Sequence, residues 1–156
     1  MGMQLIRNTS AQDHLKAVLG VLEAATHISL AVAFLKQKGL GKISRMLEAR
    51  LKAGANVEVF IGRDFFLTEP TALETLLKIS RRCSSLQVFV AKRDTGSTFH
   101  PKIYVGLHKE GGRVLVGSAN LTGGGLELPN RRSPNYMGFS AFHNGIKIRS
   151  RTFLRI

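Results

Sequence analysis

Apolar and polar positions change period several times along this chain, and each change marks an element. Over residues 11–25, "AQDHLKAVLGVLEAA", Leu15, Val18, Leu19 and Leu22 recur at helical spacing, with Ser10 and Asp13 placed as an opening capping box. "HISLAVAFLK", from His27, is an unbroken apolar run of strand length, the pattern of a strand covered on both faces. Helical period returns in "GLGKISRMLEARLKAG" through Leu40, Ile43, Leu47 and Leu51, and Gly54 stands as its C-terminal stop. "NVEVFIG" reads as a second strand, "TALETLLKISRR" as a helix opened by a Thr71/Glu74 capping box, and "LQVFVAK" as a third strand.

Helix and strand in strict alternation predict an α/β fold with a mostly parallel sheet and helices on both of its faces. After Asp94 the pattern changes. "HPKIYVGLH" and "GRVLVGSA" are strands separated by the short polar stretch "KEGG", so they are expected to pair as an antiparallel hairpin and make the sheet mixed. The segment from Arg131 to Ile156 follows no period. Six of its residues are Lys or Arg and none is Asp or Glu. The expected organisation is therefore one domain over residues 1–130 and an atypical basic tail over 131–156. That tail reads either as a nucleic-acid-binding arm or as a truncated or non-native end with no part in function.

Charge adds the next constraint. The 156 residues carry 23 Lys and Arg against 10 Asp and Glu, a formal net charge of +13. Such an excess attracts polyanions, and nucleic acid is the expected partner. No run of roughly 18 to 20 apolar residues exists to span a membrane, and "MGMQLIRNTS" lacks the pattern of a secretory signal, so a cytoplasmic protein with no membrane partner is expected. Cys83 is the single cysteine, and His14, His27, His100, His108 and His143 are scattered, so no metal site and no cofactor are expected.

The candidate chemistry lies in "TFHPKIYVGLHKEGGRVLVGSANLTGGG", from Thr98 to Gly125. On a strand, residues two apart share a face, which places His100 and Lys102 about 6.6 Å apart on one side. A nucleophilic imidazole beside a fixed cation suits attack on phosphorus, the ammonium holding non-bridging oxygens as charge builds. Pro101 cannot donate to a ladder, so it belongs at a strand start or an edge. Downstream, Gly117 permits close backbone approach to an oxyanion, and Ser118 and Asn120 offer hydrogen-bond donors. It is not a P-loop, since no Gly-Lys-Ser/Thr follows. Arg63 and Asp64 follow a strand's carboxyl end, where α/β sheets carry functional loops, and read as a loop salt bridge or as a substrate contact through Arg63. Arg81, Arg82, Lys92 and Arg93 are candidate phosphate contacts or a solvated face, His108 is expected to be exposed, and Phe99 and Tyr104 read as core.

Taken together, "FHPKIYV" and "VGSANLTGGGL" resemble the phospholipase D superfamily, most closely its half-size nuclease branch with one His-x-Lys...Gly-Ser-x-Asn motif. The resemblance implies a phospholipase D-like half-domain that acts as a metal-independent phosphodiesterase or endonuclease on nucleic acid, DNA in the first instance. It implies that His100 is the nucleophile that forms a phosphohistidine, that Lys102 and Asn120 bind phosphate oxygens, and that Ser118 and Gly117 support them. It also implies a homodimer in which a second His100 is the general acid, and it allows a companion helicase or specificity domain. Leu107 stands where the lipase-type motif has aspartate, which argues against a lipid-processing enzyme. The branch's glutamate about eleven residues after the asparagine is Arg131 here, and Glu127 is the nearest acid. The alternative is a catalytically inactive nucleic-acid-binding module of the same fold.

Overall fold

The computed structural model describes residues 4–7, 13–92, 98–126, 137–141 and 153–156. Ser10, Arg93, Glu127, Arg131 and His143 lie outside the described residues. The elements in chain order are β1 (Gln4–Arg7), α1 (His14–Leu22), β2 (His27–Val32), α2 (Gln37–Lys52), β3 (Asn56–Ile61), α3 (Pro70–Arg82), β4 (Leu86–Ala91), β5 (Lys102–His108), β6 (Gly111–Gly117), α4 (Gly123–Leu126), β7 (Met137–Ala141) and β8 (Phe153–Arg155). A 3-10 turn, Asp64–Phe66, lies between β3 and α3.

Eight strands form one sheet in the order β1-β7-β6-β5-β2-β3-β4-β8. Among the described strands, β2 with β3 and β3 with β4 pair in parallel and the other neighbours are antiparallel. The mixed α/β fold expected from the sequence is present, but its mostly parallel character is corrected: the parallel part is confined to the β2–β4 core. The reason is the hairpin, which joins the sheet at β2 rather than β4, together with β1, β7 and β8, which the periodicity did not announce. Residues of the basic carboxyl-terminal segment thus supply two strands of the same sheet as the rest of the chain.

A second correction concerns the helices. Both parallel crossovers step the same way across the sheet, from β2 to β3 to β4, and right-handed crossovers in one direction deposit both helices on one face. Val18, Val21 and Leu22 of α1, Leu40, Ile43, Leu47 and Leu51 of α2, and Ala72 and Leu76 of α3 accordingly share one cluster with Leu30, Val59, Val88, Tyr104 and Leu115 of the strands. Alternate strand residues on the other side, Ala31, Phe60 and Ala91, form a separate small cluster with Phe89, Phe99 and Ile103 packed against it. Among the described residues the long helices therefore cover one face, not two. No described helix is long and apolar enough to cross a membrane.

Helix ends also differ from the expected caps. Asp13 is the N-cap of α1, its carboxylate accepting the Lys16 N–H at 2.6 Å, and Ser10 of the expected box lies outside the described residues. Thr71 lies inside α3, which opens instead on Pro70, a residue with no N–H to leave unsatisfied. Glu69 makes no side-chain cap for α3; its carboxylate accepts from Gln37 N at 2.8 Å, at the start of α2. Gly54 does stop α2, with φ of 85° and its N–H on the Leu51 carbonyl.

Candidate active site

Strand direction brings the functional ends together. Because β2 and β5 are antiparallel, the start of β5 lies beside the carboxyl end of β2, with Lys102 opposite Val32. Because β5 and β6 form a hairpin, Ile103 pairs with Val116, so the end of β6 opens at the same side. Residues preceding β5, following β2 and following β6 thus meet at the carboxyl-terminal rim of the parallel core, where α/β sheets place their ligands. β5 is flanked by β2 and β6 and is not an edge. Pro101 stands just before its first residue, contributing only its carbonyl, which accepts from Ala33 N at 2.9 Å.

Three contacts hold the segment after β6. Tyr104, fully buried on β5, donates its hydroxyl to the Ala119 carbonyl at 2.8 Å, and burial raises its pKa well above the ordinary phenol value. Lys36 N donates to the Leu121 carbonyl at 3.0 Å beside an isolated parallel bridge between Leu35 and Leu121. Phe34 N donates to Asn120 Oδ1 at 3.1 Å. This last bond orients the amide: the oxygen is engaged by a backbone donor, which leaves Nδ2 as the group that can meet an anion. Gly125 closes the turn, since a Cβ there would run into the Asn120 backbone.

The result is a cleft of 670 Å³ lined by His100, Lys102, Gly117, Ser118, Ala119, Asn120, Thr122, Gly124 and Gly125. His100 is exposed at its rim, before the strand rather than within it. Lys102 is half-buried and donates from Nζ to the His100 carbonyl at 3.0 Å. Desolvation lowers the pKa of Lys102. Among the described residues, no carboxylate lines the cleft and no three His, Cys, Asp or Glu side chains gather as a metal-binding group.

His100, Lys102, Gly117, Ser118 and Asn120 are thus brought to one cleft, whereas Arg63 is exposed and not among its lining residues. Asp64 makes no ion pair with Arg63; its Oδ2 accepts from Phe99 N at 2.9 Å, tying the loop after β3 to the residue before His100. Glu127, the candidate acid, lies outside the described residues. His108 is half-buried, not exposed. Sequence reasoning missed Phe34, whose ring meets the His100 imidazole edge to face at 5.3 Å between centroids and lies 5.9 Å from Lys102 Nζ. The available signal was its place just past the end of an apolar strand, "HISLAVAF", where loops of α/β sheets carry function. A neighbouring hollow of 490 Å³, lined among others by Phe34, Lys36, Lys38 and Leu67, shares Asn120, Thr122 and Gly124 with the cleft.

No family model and no curated protein matches this sequence. Solved structures do match its fold. Nuc, a phospholipase D family member from Salmonella typhimurium, is 19% identical with a TM-score of 0.64 over 90% of this chain and 82% of that one. Phosphatidylserine synthase from Haemophilus influenzae is 12% identical, TM-score 0.66, over 91% of this chain and 35% of its own. Yeast tyrosyl-DNA phosphodiesterase 1 is 12% identical, TM-score 0.53, over 90% of this chain and 32% of its own.

Proposed function

From a chain with a phospholipase D-like fold, we infer a phosphodiesterase that cleaves nucleic acid, DNA in the first instance, through a phosphohistidine on His100. The observation that carries this reading is the shared cleft: an exposed imidazole, an ammonium and a carboxamide with its oxygen already engaged, around a space with room for a phosphate. The imidazole nitrogen forms a bond to phosphorus while the phosphorus–oxygen bond to the leaving strand breaks. Lys102 Nζ and Asn120 Nδ2 bind the non-bridging oxygens as their charge grows. The leaving oxygen needs a proton, and a second His100 from a partner copy is the proposed donor, so the active form is a homodimer. Water then attacks the phosphorus, giving its proton to the partner copy's now neutral imidazole, while the phosphorus–nitrogen bond breaks and restores the first imidazole. With cationic charge supplied by Lys102, the reading needs no metal. A formal net charge of +13 over the chain favours a polyanionic substrate over a neutral one.

The test is hydrolysis of an oligonucleotide and of bis-p-nitrophenyl phosphate in EDTA, with acid-labile, alkali-stable label trapped on the protein. His100→Ala is expected to remove turnover and label, and Asn120→Ala to lower kcat by about 10²-fold. Full turnover by His100→Ala would end the proposal. One observation favours a second reading, a binding module without catalysis: the described surroundings of His100 offer an aromatic edge rather than a carboxylate to orient its ring. Retention of DNA by the wild-type dimer with no turnover selects it.

A further inference from the structure

Beside the cleft the chain presents an aromatic tip that the proposed chemistry leaves unused. Phe65, Phe66 and Leu67 are 64%, 92% and 42% exposed, and both phenylalanines sit at positive φ, 59° and 53°. Bulky residues are rare and strained in that region, so the surroundings must hold the tip in place. They do so on both sides. Asp64 accepts from Phe99 N, and Thr68 donates its hydroxyl to the Gly62 carbonyl at 2.7 Å while accepting from Leu35 N at 3.3 Å. Large apolar side chains are thus pushed into solvent on an anchored turn.

The tip is continuous with the cleft. The Phe65 ring is 6.4 Å from that of Phe34, which in turn touches His100. Leu67 lines the hollow that shares Asn120 with the cleft and carries Lys38 and Lys36, the latter 3.8 Å from the Glu69 carboxylate that also lines it. An apolar partner in a protein core would not require these lysines, and a lone phosphate would not require the rings. A nucleotide strand requires both, with phosphates on the cations and a base face on an exposed ring.

We propose that Phe65 and Phe66 form a stacking platform for the nucleobase that flanks the scissile phosphate, which makes unpaired, single-stranded nucleic acid the substrate class of this site. The proposal rests on the preceding reading only for where the scissile phosphate lies. In a duplex the base faces are already occupied by their neighbours, so the platform selects against paired substrate.

The experiment measures equilibrium binding of the intact chain by fluorescence anisotropy at one fixed salt concentration. Three phosphorothioate-linked probes of equal length are compared: oligothymidylate, an abasic-linker strand with the same number of charges, and a duplex. Phe66→Ala is expected to weaken oligothymidylate binding about tenfold, within the range for loss of one base stack, and to leave the abasic strand unchanged. Phe66→Tyr keeps a ring and is expected to bind as wild type, while Phe66→Leu behaves as the alanine variant. Since Phe66 is almost wholly exposed, folding is not at stake. Equal losses on base-bearing and abasic strands, or preference for duplex, overturn the platform. So do an effect of Phe66→Ala confined to anionic phospholipid vesicles and a loss of dimer mass in that variant. Base-dependent affinity without any ester hydrolysis would keep the platform and sink the phosphodiesterase, so the two readings fail separately.

Discussion

At the scale of single residues, the cleft depends on groups that spend their hydrogen bonds in holding others. Tyr104 was legible in the sequence as core, since it follows the motif on an apolar strand, yet nothing in spacing shows that its hydroxyl would pin the Ala119 carbonyl. Asn120 was legible as a donor, but the engagement of its oxygen by Phe34 N required the carboxyl end of β2 to be placed beside it. Lys102 yields a pH prediction. Desolvation favours its neutral form, so the proton leaves at lower pH than from an ordinary lysine, and phosphate binding, which needs the cation, weakens as pH rises through that lowered value. The linked stability term has the opposite sign. Between the folded and ordinary values the unfolded chain holds the proton, and folding gains as pH rises. Calorimetric titration with inorganic phosphate is expected to show affinity falling on the alkaline side in the wild type and flat in Lys102→Arg, whose guanidinium stays charged.

At the scale of elements, the packing of α2 against the segment after β6 is as important as the hairpin. Gly39 lies in the first turn of α2, and a Cβ there would meet the Leu121 backbone. Gly39→Ala is expected to push that segment off its bridge to Leu35, costing about 1–3 kcal/mol of stability in urea unfolding. It should also reduce kcat/KM on an oligonucleotide several-fold, by shifting Asn120. If neither stability nor kcat/KM moves, that contact does not position the site. Helices α1, α2 and α3 and the five central strands were legible because each carries a full period of 3.6 or a continuous apolar run, whereas the four-residue α4 was not. β1, with four residues, and β7 and β8, in a segment of mixed polarity, were not, since short strands take their structure from partners rather than from pattern. The single helical face was likewise invisible, because it follows from strand order, and strand order is set by which edge the hairpin joins.

At the scale of the whole molecule, β7 fills the place between β1 and β6 and is the partner through which β1 joins the sheet. Ending the chain at Asn130 would strip β1 of that partner and expose the β6 edge. The truncated protein is expected to melt at lower temperature by circular dichroism and to aggregate, while a tail that served only as a charged arm would leave the melting temperature unchanged and weaken DNA binding alone. The two outcomes separate a structural segment from an electrostatic one.

The two-residue connection between β5 and β6 carries one more consequence. It sets how far the histidine end and the asparagine end of the hairpin travel before they face each other. A slip of two residues keeps every side chain on its own side of the sheet but offsets the two ends by about 6.6 Å, more than a phosphate can bridge. Chains that refold with the ladder displaced would look native by spectroscopy and still be inert, so specific activity after refolding doubles as a gauge of how faithfully this ladder zips.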